Sequence, residues 1–178
     1  MILLDFLPFA IALAVAAAIP GPSVAACIAK ALKAGFKPAL PFSIGLAMGD
    51  LVYLSLAVFG LATIAATFNG VFLVIKYAGA AYLLYLAWTF WTQEPEPLDV
   101  STSPRGQGWK ALTAGFFVTL GNPKTMIFYM ALVPTVLDLN RITVADFSIL
   151  AVIVMLVVPL VMLPYIFSAA RARAFFRT

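Results

Sequence analysis

The chain has 178 residues, of which 64% are hydrophobic and 10% are charged, against roughly 45–50% and about 25% in an ordinary soluble domain. Too little polar surface exists to cover a water-exposed globule, so the composition excludes a soluble enzyme, a nucleic-acid-binding protein and a disordered tail. The formal charge is +4. Cys27 is the single cysteine, which excludes an intramolecular disulfide, a paired-thiol redox relay and a multi-cysteine metal site. The sequence contains no histidine, which excludes an imidazole base. We therefore expect one integral membrane domain without a cofactor or a metal.

Charged residues divide the chain into apolar segments long enough for the roughly 20 residues of a membrane-spanning helix. Residues 6–29 and 147–170 each run for 24 positions without a charge, and the long stretch 38–75 is divided at Asn69-Gly70, a strong turn signal. No Lys or Arg precedes the first segment, so we expect it to remain a span and not to be a cleaved signal peptide. The predicted spans are 5–29, 39–66, 71–91, 111–136 and 147–170. The sequence thus predicts an all-α fold, a polytopic transmembrane helical bundle with five spans.

The connections between these spans differ in charge. Alternate connections and the tail contain eight basic residues against one on the other side: Lys30, Lys33, Lys37, Arg105, Lys110, Arg171, Arg173 and Arg177 against Arg141. By the positive-inside rule, the amino terminus lies outside and the carboxyl terminus lies in the cytoplasm. Topology therefore accounts for the positive charge, and no nucleic-acid partner is required.

One connection, residues 92–110, is long enough to be a linker and is rich in Pro, Ser, Gly and acidic residues. This composition predicts a cytoplasmic loop. It divides the chain into a front half with three spans, residues 1–91, and a back half with two, residues 111–178.

The first span contains Pro20-Gly21-Pro22-Ser23. Proline removes a backbone donor and clashes with the preceding turn, so two prolines around a glycine are expected to break or strongly kink the helix. Backbone groups freed in this way need protein or water as partners, which favours a break that faces the bundle interior. A kink that serves only helix packing is the alternative, because Gly and Pro are common in membrane helices.

The second span contains Asp50 directly after Gly45 and Gly49. The glycine pair is a small-xxx-small pattern that lets another helix approach closely. A carboxylate near the middle of the bilayer costs about 2.5–3.5 kcal/mol on insertion scales, and such acids often mark ion or substrate paths. We expect Asp50 to face the bundle interior; a structural hydrogen bond to a neighbouring helix is the alternative.

The fourth span contains Gly121-Asn122-Pro123-Lys124, again a helix breaker beside polar groups. Asp50 and Lys124 lie at similar distances from the cytoplasmic ends of their spans, and therefore at similar depth in the bilayer. Each is the expected partner of the other. Snorkelling of Lys124 to the surface is disfavoured at this depth.

The two interrupted spans, the first and the fourth, begin the two halves of the chain. Since the front half has an odd number of spans, the back half starts from the opposite face, as in an inverted-topology repeat. Paired interrupted helices in such positions indicate a transporter's binding site, with helix ends that suit an anion and a cation together. The candidate substrate-binding residues are Pro20, Gly21, Pro22, Ser23, Asn122, Pro123 and Lys124.

Four motifs occur in order along the chain: AxxPGPS, GLAMGDLVYLSLAVFGL, IKYAGAAYLLYLAWTFW and FFVTLGNPKTMIFYMALVP. This series resembles the LysE/RhtB family of bacterial amino-acid exporters over nearly the whole chain. The resemblance implies a secondary transporter of the bacterial inner membrane that exports amino acids or similar small metabolites, driven by the ion gradient. Family members usually continue through a sixth span, whereas this sequence ends at Thr178, so we expect either a truncated chain or a bundle that a second copy completes as a homodimer.

The first functional hypothesis is a proton-coupled exporter of amino acids or related zwitterions, in which Asp50 is the ion-coupling group. A thiol-redox carrier needs two cysteines and is disfavoured. A membrane enzyme would need a carboxylate pair, a His-rich cluster or a nucleophile with its base, and none of these is visible. A non-transporting membrane protein, such as an assembly partner or a decayed paralogue, stays open as the alternative.

Overall fold

The structure is a computed structural model that describes residues 3–60, 108–137 and 142–175. The predicted third span, 71–91, and most of the predicted linker lie outside these residues, as do the basic residues Arg105, Arg141 and Arg177. Within the described ranges all regular secondary structure is helical, which confirms the predicted all-α class.

Six α-helices make up the described part of the chain. A single 3₁₀ turn, Leu3–Phe6, precedes the first of them, and a π-helical turn, Leu56–Gly60, continues the third. The helices are α1 (Leu7–Ala18), α2 (Pro22–Ala34), α3 (Phe36–Ser55), α4 (Gly108–Leu120), α5 (Pro123–Val136) and α6 (Val144–Phe175).

The chain bends sharply at both predicted breaks. The axes of α1 and α2 differ by 59°, and those of α4 and α5 by 62°. None of these four helices is long enough to cross a bilayer by itself. Each bent pair, taken as one broken span, is long and apolar enough to do so. Together with the continuous spans Phe36–Gly60 and Val144–Arg173, the described residues then contain four membrane spans.

Helix α6 begins three residues before the predicted span and ends five residues after it. Its start is fixed by a capping box: Asp146 Oδ2 accepts hydrogen bonds from the backbone N–H of Thr143 at 2.9 Å and from its hydroxyl at 2.7 Å, and Asp146 N–H donates to Thr143 Oγ1 at 3.2 Å. Such reciprocal bonds satisfy donors that the first turn of a helix leaves free. This arrangement explains why an acidic residue is buried at this end.

The two faces of α6 are both apolar, but only one faces protein. Residues on the inner face are buried: Leu150, Val154, Val158, Met162 and Ile166. Residues on the opposite face are largely exposed: Val152, Leu156, Leu160, Leu163 and Phe167. An apolar stripe of this length on a helix surface is what a lipid-facing span presents, since a soluble monomer rarely exposes one.

Helices α3 and α4 approach each other backbone to backbone. A Cβ atom added at Gly45 would overlap the carbonyl oxygen of Leu112, and one at Gly115 would overlap that of Phe42. At Gly49 an added Cβ would lie 2.5 Å from the Cβ of Thr119. Close packing through small residues is characteristic of membrane helices, where dispersion and hydrogen bonds replace the hydrophobic effect as the force between helices. The contact fixes α3, and therefore Asp50, against the end of α4.

Candidate functional site

Both breaks have the same local construction. A proline occupies the first position of the second half-helix, Pro22 in α2 and Pro123 in α5, with Gly21 and Asn122 as the respective N-caps. Proline is favoured there because its missing N–H is not needed in the first turn. The Asn122 side chain accepts a hydrogen bond from the backbone N–H of Lys124 at 3.1 Å, which caps α5.

The two breaks lie side by side, although about 100 residues separate them in the sequence. Asn122 Nδ2 donates a hydrogen bond to Ser23 Oγ at 2.7 Å. Lys124 Nζ donates to the backbone carbonyl oxygen of Ile19, in the first break. A Cβ added at Gly21 would lie 3.2 Å from Lys124 Cδ, so glycine leaves room for the lysine side chain. The polar residues of the two predicted motifs therefore form one site.

Tyrosine hydroxyls satisfy the carbonyl groups that the breaks release. Tyr165 Oη donates to the Ala18 carbonyl at the end of α1, at 2.6 Å. Tyr53 Oη donates to the Leu120 carbonyl at the end of α4, also at 2.6 Å. A helix leaves its last carbonyls without intrahelical partners, and in lipid these groups require a donor from the protein. Sequence reasoning missed both roles, since a tyrosine in an apolar span gives no signal for a distant backbone partner.

The breaks enclose a cavity of about 50 Å³. Its polar wall comes from four helices: Ser23 in α2, Asp50 in α3, Thr119 in α4, and Lys124 and Tyr129 in α5, with the N-cap residue Asn122. Apolar side chains of α1 and α6, among them Leu13, Val158 and Met162, complete the lining. At roughly 10–15 Å³ for each water molecule, a cavity of this volume holds about three to five waters. An amino acid needs more space than this.

Asp50 is buried, with 7% of its surface exposed, and lines the cavity. The expected ion pair with Lys124 is not formed: the ammonium group is bonded to Ile19, and within the described part of the chain the Asp50 carboxyl group has no hydrogen-bond or ion-pair partner. The reason is local, because the Ile19 carbonyl is freed by the break and lies within reach of the lysine. Asp50 and Lys124 thus share a cavity without neutralising each other.

Tyr129 is a further residue of the cavity wall. Its side chain is 1% exposed, and its buried hydroxyl group has no hydrogen-bond partner among the residues that the structure describes. The ring is held by Phe128 and Phe9, with centroid distances of 5.1 Å and 6.4 Å. The hydroxyl and the Asp50 carboxyl group line the same cavity. A buried, unsatisfied hydroxyl is costly, and its position on the cavity wall makes it available to a molecule inside.

The remaining predicted site residues lie around the cavity and not in its wall. Pro20, Pro22 and Pro123 shape the two breaks, whereas Gly45 and Gly49 lie in the contact between α3 and α4. Within the described ranges, no three His, Cys, Asp or Glu side chains lie together as a metal site would require. Cys27 is buried in α2 as a free thiol.

The arrangement separates two kinds of polar group. The Lys124 ammonium and the first turns of α2 and α5 are donors, and the two helix ends also carry the positive end of a helix dipole. The Asp50 carboxyl group is an acceptor on another part of the wall. A membrane bundle with such a cavity between two interrupted helices has the features of a secondary transporter.

Comparison with known proteins agrees with this class. The family model of the LysE type translocator matches residues 14–178, and the chain therefore belongs to the LysE family of membrane translocators. No solved structure matches it.

Two of the relatives that the chain matches are named as efflux proteins. The leucine efflux protein of Klebsiella pneumoniae is 28% identical over 144 residues, 79% of this chain and 66% of that protein. The homoserine/homoserine lactone efflux protein of Salmonella typhimurium is 28% identical over 159 residues, 89% of this chain and 77% of that protein. An uncharacterized membrane protein of Synechocystis is 27% identical over 161 residues, 90% of this chain and 78% of that protein.

Proposed function

We propose that this protein exports amino acids or related small zwitterions across the bacterial inner membrane, and that proton movement through Asp50 drives the export. The observation that carries the proposal is the cavity shared by both helix breaks, whose wall contains a carboxyl group, Asp50, and an ammonium group, Lys124, that do not pair with each other. A zwitterion neutralises both groups at once. The relatives named for leucine and for homoserine efflux point to the same class of substrate.

The donor side of the cavity suits the carboxylate of the substrate. Helix N-termini bind anions through free backbone N–H groups and a favourable dipole, and both α2 and α5 begin at this cavity. Lys124 adds a full positive charge, which its bond to the Ile19 carbonyl leaves unneutralised. Ser23 and Asn122 hold the two helix ends together and so keep the donors aligned.

Asp50 is the proposed site of proton coupling. A carboxylate in this position is expensive while it has no partner, and it can be neutralised either by a proton or by a cationic group of the substrate. Competition between the proton and the substrate for one carboxylate would make their binding mutually exclusive. This competition couples the export of substrate to the entry of protons.

Transport requires the cavity to widen and to open in turn to each side. We propose that residues 1–91 and 111–178 are two inverted halves of one membrane domain and that they rock against each other about the paired breaks, as in other transporters with inverted repeats. The amino terminus lies outside and the carboxyl terminus in the cytoplasm under this scheme. A homodimer is part of the proposal.

The test is export from bacterial cells loaded with a panel of amino acids, at matched levels of the protein in the membrane. The wild-type chain is compared with Asp50→Asn and with Asp146→Asn, which makes the same change at a buried acid that caps α6 away from the cavity. We expect gradient-dependent export by the wild type and by Asp146→Asn, and loss of export in Asp50→Asn. Full export by Asp50→Asn would refute the coupling assignment, and no export by any chain would favour a non-transporting membrane protein.

A further inference from the structure

We propose that Tyr129 and Asp50 together form the subsite for the primary ammonium group of the substrate, so that the molecule lies with its ammonium toward α3 and its carboxylate toward Lys124. This assignment rests on the proposed export of zwitterions and adds the orientation of the substrate and a residue that selects for a free amine. Its starting point is the unpartnered hydroxyl of Tyr129 in the cavity wall.

The other tyrosines near the breaks show what is unusual about Tyr129. Tyr53 and Tyr165 each donate a 2.6 Å hydrogen bond to a backbone carbonyl, as buried tyrosine hydroxyls normally do. Tyr129 is more deeply buried than Tyr53, at 1% against 9% exposure, and yet its hydroxyl is unpaired. The Phe128 and Phe9 rings fix the side chain, so the hydroxyl is held ready for a partner that enters the cavity.

The chemistry of the two walls decides which end of a zwitterion meets Tyr129. A carboxylate needs donors, which Lys124 and the first turns of α2 and α5 supply. An ammonium group has three N–H donors and needs acceptors. The Asp50 carboxyl group and the Tyr129 hydroxyl oxygen are acceptors in the wall of the same cavity, and neither has a hydrogen-bond partner among the described residues. Both oxygens can accept from one ammonium group that enters the cavity.

The experiment uses the full chain purified in detergent. Isothermal titration with the twenty standard amino acids identifies the one that binds most tightly. Two derivatives of this amino acid are then titrated: its carboxamide, which keeps the ammonium but lacks the carboxylate, and its N-acetyl form, which keeps the carboxylate but lacks the ammonium. The chains compared are the wild type, Tyr129→Phe and Tyr53→Phe, the last being a matched loss of a hydroxyl that bonds backbone.

We expect Tyr129→Phe to weaken binding of the parent amino acid and of its carboxamide by about tenfold or more, the effect of losing a hydrogen bond to a charged group, and to change the N-acetyl form less than about twofold. Tyr53→Phe should leave the ratio between the two derivatives as in the wild type. Without ligand, Tyr129→Phe should melt at the same or a higher temperature, because it removes an unsatisfied buried hydroxyl; a structural hydroxyl would lower the melting temperature.

Four results would overturn the assignment. Weaker binding of the N-acetyl form alone would place the carboxylate at Tyr129. Equal loss for both derivatives would mean that Tyr129 only shapes the cavity, and unchanged binding would mean that its hydroxyl meets no substrate. If the wild type binds none of the twenty amino acids, the proposed function itself fails, and the ammonium subsite fails with it.

Discussion

The close contact of α3 with α4 makes Gly45→Ala the most informative test of the packing that positions Asp50. The added Cβ would overlap the Leu112 carbonyl oxygen and lie 2.8 Å from its carbonyl carbon and 3.0 Å from the Phe116 nitrogen. Carbon atoms in contact are ordinarily about 3.5–4.0 Å apart, so the helices must separate by roughly 1 Å. Since the neighbouring atoms are backbone, no side chain can rotate to make room.

Overpacking of this kind costs about 1–3 kcal/mol, and replacing a helical glycine by alanine returns about 0.5–1 kcal/mol. We therefore expect Gly45→Ala to lower the free energy of unfolding by about 1–2 kcal/mol, measured by denaturant titration in detergent micelles. Gly121→Ala is the matched control, because its Cβ would meet only the carbonyl oxygens of Phe117 and Val118, at ordinary distances of 3.6 Å and 3.9 Å. Equal stability of the two variants would refute the inferred backbone contact.

Four further substitutions test other parts of the structure, each by thermal or denaturant unfolding and by amino-acid export. Asn122→Ala removes the bond to Ser23 and the cap of α5, and should cost about 1–3 kcal/mol and reduce export. Thr143→Ala removes only the capping box of α6, and should cost about 1 kcal/mol while export at matched levels is retained. Ile166→Ala, on the buried face of α6, should cost about 2–5 kcal/mol, whereas Leu156→Ala, on the exposed face, should be near neutral because lipid fills the space.

The helix breaks could be predicted from the sequence because local backbone chemistry determines them. Pro20 and Pro22 flank Gly21, and Pro123 follows Asn122, so each proline removes a backbone donor beside a residue that itself disfavours a helix. The chain bends by 59° and 62° at these places. The starts of the four spans that the structure describes were predicted within three residues, since length and hydrophobicity alone decide whether a segment suits a bilayer. The start of α6 was missed by three residues because the Thr143 capping box, and not hydrophobicity, fixes it.

Partners across the bundle could not be predicted, because they depend on how the helices pack. Opposite charge and similar depth predicted that Lys124 would pair with Asp50. The structure shows instead that the Lys124 ammonium group donates to the Ile19 carbonyl, which the helix break leaves free. Tyr53 bonds a carbonyl 67 positions away in the sequence, and Tyr165 one that is 147 positions away. Nothing in the local pattern around Tyr129 distinguishes it from these two, and only the structure shows that its hydroxyl is unpaired.

The central claim is that the two helix breaks form one substrate cavity, and a cross-link tests it most directly. Ser23 Oγ and Asn122 Nδ2 lie 2.7 Å apart, so the double variant Ser23→Cys/Asn122→Cys, made in a Cys27→Ser chain, should form an intramolecular disulfide when native membranes are mildly oxidised. The control pair Ser23→Cys/Ser148→Cys, with Ser148 on the exposed part of α6, should not. We expect the cross-link to form, and we expect the amino acid that binds most tightly to slow its formation. If the cross-link does not form, or if no amino acid changes its rate of formation, the two breaks do not share one substrate cavity.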